Sequence, residues 1–156
     1  MANKLRTQIE PRVREAGLKL TPQRFAVLEF LLKTPGHPTA EQIGADLNLN
    51  FPRASRATIY NTLNALRDAG LIHEVYVDGS VARYDTNLDK HHHFVCGVCD
   101  KLEDVPLSSI TSLPKSKLEA GYVIENYEIV LRGICPSCNK AGPKIKKQKA
   151  KGKLRK

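Results

Sequence analysis

The apolar positions in the first part of the chain recur at helical spacing. Residues 4–16 predict a first helix. Thr21 and Pro22 mark the start of a second helix, because threonine caps a helix N-terminus and proline fits the first helical position. The run PQRFAVLEFLLK gives this helix one apolar face, made of Phe25, Leu28, Leu31 and Leu32.

Two further helices follow the same pattern. Thr39 caps a short helix, AEQIGADLN, in which Ile43 and Leu47 are expected to point inward. Ser55 caps a longer helix over residues 56–69, whose apolar face consists of Ile59, Leu63 and Leu66. Gly70 ends that helix.

A hairpin is predicted next. Two β-rich runs, LIHEVYV and SVARYD, flank Asp78-Gly79, a dipeptide favoured in two-residue hairpin turns. Three helices followed by a two-stranded hairpin is the element order of a winged helix-turn-helix, in which the last helix reads DNA. We therefore predict a winged helix-turn-helix DNA-binding domain over residues 1–84.

The second half, residues 85–138, predicts a small α/β domain. HHHFVC is expected to be a short strand and residues 101–105 another. Residues 108–120 are a helix candidate that Pro114 breaks. YVIENYEIVLRGIC is expected to form one long strand with four apolar side chains on one side, Val123, Tyr127, Ile129 and Leu131. The predicted fold class is α/β, in the α+β arrangement.

The distribution of charged residues distinguishes a third segment of the chain. The formal charge of +9 suggests an anionic partner such as nucleic acid. Residues 139–156 hold nine basic and no acidic side chains, so the rest of the chain is neutral. We predict a basic, disordered tail that binds phosphates, if at all, without sequence preference.

Hydrophobic composition bears on location. Apolar residues make up 41% of the chain, which is enough for a packed core. No stretch approaches the roughly 20 apolar residues that span a bilayer. The first residues, MANKLRTQIE, lack the apolar run of a signal peptide. We expect a cytoplasmic protein without membrane association.

The four cysteines form two CxxC pairs, Cys96 with Cys99 and Cys135 with Cys138. Each pair places two thiolates on one tight turn, and two such turns complete a tetrahedral shell suited to Zn²⁺. Because all four coordination positions are filled, such a zinc is structural.

A histidine run precedes the first cysteine pair. Alternate residues of a strand share a face, so His91 and His93 can bind one ion while His92 points away. Carboxylates flank this segment in the sequence, at Asp85 and at Glu103-Asp104. From composition alone, His37 is an ordinary loop histidine.

Five segments resemble, in the same order, the ferric uptake regulator family of metal-dependent transcriptional repressors: LTPQR (20–24), GHPTAEQI (36–43), ATIYNTL (57–63), HHHFVCGVC (91–99) and CPSC (135–138). The resemblance covers about residues 5–138 and omits the basic tail. Within the family, the chain is most similar to the peroxide-sensing branch.

The resemblance implies a regulatory metal site of three histidines and two aspartates. The matching positions are His37, Asp85, His91, His93 and Asp104. Iron-responsive members usually have glutamate where Asp104 stands, and the aspartate favours the peroxide branch. These nitrogen and oxygen donors suit Fe²⁺ or Mn²⁺, whereas the thiolates suit Zn²⁺.

The resemblance also implies a mechanism. Residues 85–138 would form the dimerisation domain of a homodimer that binds a palindromic, AT-rich double-stranded DNA operator. One ion bound by ligands of both domains would link metal binding to DNA affinity. Reaction of bound Fe²⁺ with hydrogen peroxide would oxidise His37 or His91 and release the DNA. This sensing consumes the protein, so no enzyme activity is predicted.

Base reading is assigned to the recognition helix. Tyr60 and Asn61 are expected to contact bases, because a tyrosine ring can contact thymine methyls and asparagine can read adenine. The flanking candidates are Ser55, Arg56 and Thr58, and Arg24 is expected to contact a phosphate. Core packing of Tyr60 is the alternative.

Three other functions stay open at this stage. The same fold could respond to iron, zinc or manganese without sensing peroxide. A zinc hydrolase or deaminase is disfavoured, because no H-x-E segment is present to supply the acid/base glutamate. A constitutive DNA- or RNA-binding zinc module would bind equally well with the second metal removed.

Overall fold

A computed structural model describes residues 2–50, 55–77, 81–110, 122–123, 125 and 127–140. The fold is of the α+β class and divides into two compact units, Met1–Lys90 and His91–Lys156. The domain boundary predicted after residue 84 falls inside a strand of the first unit, so Asp85 belongs to that unit.

Four helices build most of the first unit: α1 (Ala2–Glu15), α2 (Pro22–Lys33), α3 (Ala40–Asn50) and α4 (Arg56–Asp68). The predicted caps are present. The hydroxyl of Thr21 accepts a hydrogen bond from the Arg24 amide at 3.2 Å, and that of Ser55 accepts one from the Thr58 amide at 3.1 Å. Gly70, just after α4, has a φ of 66°, a left-handed conformation that glycine adopts without strain.

The core of the first unit lies where the apolar faces of these helices meet. The predicted inward residues of α3 and α4 are buried: Ile43, Leu47, Ile59, Leu63 and Leu66. On α2 the fully buried residues are Val27, Leu28 and Leu31, whereas Phe25 and Leu32 are half-buried and pack against the cluster. α1 contributes Ile9 and Val13.

The predicted hairpin follows α4. Strands β1 (His73–Tyr76) and β2 (Ala82–Asp85) pair antiparallel, with His73 opposite Asp85. The Asp78-Gly79 turn lies outside the described residues. The Tyr84 amide donates to the Pro38 carbonyl at 3.0 Å, which ties β2 to the segment before α3. Helices followed by this hairpin make the first unit a winged helix.

The second unit contains a three-stranded sheet. Its strands are β3 (His91–Cys96), β4 (Leu102–Pro106) and β5 (Val130–Gly133), in the order β4-β3-β5. β3 pairs antiparallel with β4 and parallel with β5, and the short helix α5 (Pro136–Lys140) follows. Both strands predicted before the helix candidate are therefore confirmed.

The long strand predicted over residues 122–135 is shorter in the structure. Among the described residues its paired part is Val130–Gly133, with His93 opposite Val130 and Cys96 opposite Gly133. Val123 and Tyr127 are exposed and lie before the paired part. Leu107–Ser109 form one 3₁₀ turn, and residues 111–120 of the helix candidate lie outside the described residues.

The predicted basic tail is described only at its first two residues. In the predicted tail, residues 139–140 belong to α5, and residues 141–156 lie outside the described residues. Within the described part of the chain, no helix is both long and apolar enough to cross a membrane.

Candidate metal centres and nucleic-acid interface

The four cysteines come together in the second unit. Cys96 ends β3, Cys99 lies in the turn that follows, and Cys135 and Cys138 lie at the start of α5. The parallel pairing of β3 with β5 places Cys96 opposite Gly133, two residues before Cys135. The four Sγ atoms all lie within 4.8 Å of one another.

The spacing of these sulfurs fits a tetrahedral zinc ion. Zinc–thiolate bonds of about 2.3 Å give sulfur–sulfur edges of about 3.8 Å in a regular tetrahedron. The Sγ atoms of Cys99 and Cys135 are 3.8 Å apart. The spacing of the four sulfurs is therefore consistent with a structural zinc site.

The thiols of this cluster differ in acidity. The backbone amide of Cys135 donates to the Cys96 sulfur at 3.3 Å, and this bond, with one from the Cys99 amide, lowers the pKa of Cys96 to about 6. The neighbouring sulfurs of Cys135 and Cys99 raise the pKa of Cys138 to about 12. Ionising every thiol so close together requires a cation to compensate the accumulated charge.

A second group of ligand atoms lies on the same sheet. His91 and His93 share one face of β3, as predicted, and their Nε2 atoms are 3.0 Å apart. Asp104 on β4 lies opposite His93 in the register, and its Oδ1 is 3.7 Å from the His91 Nε2. Two donors bound at about 2.1 Å and at right angles would be about 3.0 Å apart, so the two imidazoles fit one divalent ion.

His92 does not join this group. Its side chain is buried on the other face of β3, and its ring centroid lies 5.7 Å from that of Tyr127. The predicted alternation of the three histidines is therefore confirmed.

The first unit contains the remaining two predicted metal ligands. His37, in the loop between α2 and α3, has its Nε2 3.2 Å from the Asp85 Oδ2, and both side chains are buried. His37 has a left-handed φ of 54°, a strained conformation for a histidine that is held partly by Arg83, whose Nη1 donates to the His37 carbonyl at 3.3 Å. Asp85 is oriented by the Asn87 amide, which donates to its Oδ1 at 2.8 Å.

One carboxylate beside the histidines was not predicted from the sequence. The Oε1 of Glu128 is 2.8 Å from the Nδ1 of His93. Glu128 lies 35 residues after His93, and nothing in the local sequence distinguishes it from Glu125. Only the parallel pairing of β3 with β5 brings it to the histidine.

The predicted DNA-reading residues lie around the start of α4. Tyr60 is 38% exposed rather than packed in the core, and Ser55, Arg56 and Asn61 are also exposed. Thr58 is half-buried and contributes its amide to the Ser55 cap. On α2, Arg24 directs its Nη1 to the Lys19 carbonyl at 2.7 Å.

Glu41 on α3 contacts two of these residues. Its Oε1 accepts hydrogen bonds from the Arg56 Nη2 at 3.1 Å and the Tyr60 hydroxyl at 3.3 Å. The pKa of Glu41 is lowered chiefly by a hydrogen bond from its own backbone amide, with contributions from Thr39, Tyr60 and Arg56. The side chains of Arg56 and Tyr60 are thus held together on one exposed surface.

Known proteins share this arrangement of elements and motifs. The sequence model of the ferric uptake regulator family matches residues 15–132. The peroxide-responsive repressor PerR of Staphylococcus aureus is 32% identical over 127 residues, which cover 81% of this chain and 86% of that protein.

Two solved structures are similar along nearly their whole length. The ferric uptake regulator of Francisella tularensis with iron has a TM-score of 0.65 and 25% identity, covering 79% of this chain and 96% of that one. The regulator of Pseudomonas aeruginosa with manganese has a TM-score of 0.61 and 26% identity, covering 81% and 97%.

Proposed function

This chain belongs to the ferric uptake regulator family, and we propose that it is a metal-dependent transcriptional repressor that senses hydrogen peroxide. The family consists of transcription regulators rather than enzymes. The observation that carries the proposal is the convergence of the His91 and His93 Nε2 atoms, 3.0 Å apart beside Asp104. Similarity to a peroxide-responsive repressor at 32% identity supports the peroxide signal.

We assign different ions to the two groups of ligands. The cysteine cluster is proposed to hold structural Zn²⁺, because four thiolates are soft donors with no position left open. Imidazole and carboxylate donors suit Fe²⁺ or Mn²⁺ better. The proposed regulatory ligands are His37, Asp85, His91, His93 and Asp104.

Sharing of one ion by these five residues would make DNA binding depend on metal. His37 and Asp85 belong to the first unit, and the other three ligands belong to the second. An ion that both sets bind would favour one arrangement of the winged helix relative to the rest of the chain. If that arrangement binds DNA better, metal binding and DNA binding strengthen each other by the same factor.

Peroxide sensing would use the same histidines. These residues would hold Fe²⁺, and its reaction with hydrogen peroxide would supply an oxidant next to them. We propose that His37 or His91 takes up oxygen in this way. An oxidised imidazole is a poorer ligand, so the site would lose its ion and the protein would lose affinity for DNA.

The proposed DNA partner is a palindromic, AT-rich operator bound by a homodimer. Two copies of α4 would then enter the major groove at two half-sites. Tyr60 and Asn61 are the proposed base readers, with Ser55, Arg56 and Thr58 beside them and Arg24 on a phosphate. The exposure of Tyr60 supports this role.

Operator binding by four forms of the zinc-loaded protein tests the proposal. The forms carry no second metal, Mn²⁺, Fe²⁺, or Fe²⁺ followed by hydrogen peroxide. Tight binding is expected with Mn²⁺ and with Fe²⁺, and peroxide should abolish it only in the Fe²⁺ form. Mass spectrometry should then find an added oxygen atom in the peptides that contain His37 or His91.

Histidine variants provide the matched control. His91→Ala should lose metal-dependent operator binding, whereas His73→Ala, which replaces an exposed histidine on β1, should retain it. A repressor that follows metal supply but ignores peroxide would instead be an iron-, zinc- or manganese-responsive member of the family. Unmodified histidines together with oxidised cysteines would replace the proposed mechanism with a thiol switch.

A further inference from the structure

Glu128 contacts a proposed metal ligand, His93, at the ring nitrogen that does not face His91. The His93 Nε2 faces the His91 Nε2 at 3.0 Å, and the His93 Nδ1 faces the Glu128 Oε1 at 2.8 Å. The two nitrogens of an imidazole point in different directions, so the ring lies between the glutamate and the point where an ion would bind. Glu128 is therefore placed to act on the ligand rather than to be one.

The backbone holds this contact in register. The His93 amide donates to the Ile129 carbonyl at 3.0 Å, and His93 lies opposite Val130 in the parallel pairing of β3 with β5. Glu128 directly precedes these two partners in the chain. Its side chain is 53% exposed while that of His93 is 4% exposed, so the glutamate approaches a buried ring from the solvent side.

A hydrogen bond to one ring nitrogen of a neutral histidine determines whether the other nitrogen carries a proton. A neutral imidazole carries one proton, and a carboxylate that accepts a hydrogen bond from Nδ1 keeps the proton there. The lone pair of Nε2 is then available for a metal ion. The carboxylate also fixes the orientation of the ring and increases the basicity of the ligand nitrogen.

We propose that Glu128 is a positioning residue of the regulatory metal site, which holds the proton of His93 on Nδ1 and presents Nε2 to the ion. This inference rests on the proposed function, because it requires that His93 binds a regulatory metal. It adds a residue outside the proposed ligand set, from a part of the chain that contributes none of those ligands.

Nitrogen-15 NMR of the histidine side chains tests the proton position directly. The sample is the full chain with zinc in the cysteine cluster and no second metal. In the wild-type protein, His93 should carry its proton on Nδ1. In Glu128→Ala the proton should move toward Nε2, whereas Glu125→Ala, which removes an exposed carboxylate from the same segment, should leave His93 unchanged.

Titration with Mn²⁺ alone tests the effect on the site. Glu128→Ala should raise the dissociation constant about 10- to 100-fold, the usual effect of losing such a partner. Glu128→Gln keeps an oxygen that can accept from Nδ1, so its increase should be smaller. Glu125→Ala should bind Mn²⁺ like the wild type, and each variant should retain its zinc.

The outcomes separate this inference from the proposed function. His93→Ala tests the proposed site itself and should lose Mn²⁺ binding. If it does, but Glu128→Ala changes neither the proton position nor the Mn²⁺ affinity, the inference about Glu128 is overturned and the proposed function stands. If His93→Ala binds Mn²⁺ like the wild type, the proposed regulatory site is wrong, and the role of Glu128 falls with it.

Discussion

Replacing Cys138 with serine tests how far zinc holds the second unit together. Cys138 is half-buried, so the substitution disturbs packing little and mainly removes one thiolate from the cluster. Ser137→Ala, at the exposed neighbouring position, is the matched control. We expect Cys138→Ser to lose zinc and to unfold the second unit while the first unit stays folded.

The expected magnitude follows from what each unit buries. Among the described residues of the second unit, the buried apolar side chains are those of Leu102, Cys96 and Cys135. Complete burial of a leucine contributes about 1.5–3 kcal/mol. A structural zinc site contributes roughly 10–16 kcal/mol, so the metal should exceed the contribution of the buried Leu102 several-fold.

The first unit differs because it has its own core. Its buried cluster includes Val27, Ile43, Leu63 and Leu66, on three helices. That cluster does not involve the cysteines, so loss of zinc should leave its stability unchanged. The same substitution is therefore expected to unfold the second unit and to leave the first unit folded.

Hydrogen exchange measured by mass spectrometry can follow both units in one sample. In Cys138→Ser the amides of β3 and β4 should lose protection, while those of α4 should keep it, and a colorimetric assay should find less bound zinc. Ser137→Ala should match the wild type in all three measurements. Unchanged protection of β3 in a protein shown to lack zinc would refute the conclusion that the metal stabilises this unit.

Three further predictions concern the first unit and the tail. Burial, aided by Glu74, raises the pKa of Tyr84. Because the folded protein therefore favours the neutral phenol, Tyr84 contributes fully to the free energy of unfolding below its unfolded-state pKa of about 10, and this contribution is lost as the pH rises above that value. Urea unfolding across this alkaline range should therefore show a smaller loss of stability in Tyr84→Phe, and an equal loss in both proteins would exclude Tyr84 as the cause. Tyr60→Ala should weaken binding to the operator, by about 1–3 kcal/mol, more than binding to random DNA; equal losses in a gel-shift assay would refute base reading. Removal of residues 141–156 should flatten the dependence of DNA affinity on salt without changing operator preference, and loss of the metal response on truncation would contradict this role.

Local signals in the sequence were sufficient to predict the helices of the first unit and the strands of its hairpin. Thr21 and Ser55 cap the helices that they were predicted to cap, because a capping hydroxyl needs only an amide three residues later. The inward positions of α3 and α4 followed from helical periodicity. The length of the last strand was overestimated among the described residues, because an alternating pattern does not show where pairing with another strand begins.

Some features of the candidate metal centres were likewise predictable from the sequence, and others were not. The sequence by itself determined the CxxC pairs and the shared face of His91 and His93, since both follow from spacing within one turn or one strand. The sequence also predicted that the two CxxC pairs meet in one site, and the tertiary structure brings them together. Only the tertiary structure decided that Glu128 lies against His93. Both contacts depend on the parallel pairing of β3 with β5, whose residues are far apart in the chain. The type and local spacing of the metal ligands follow from neighbouring residues in the sequence. A contact across a sheet depends on the register between two strands, which neither strand determines alone.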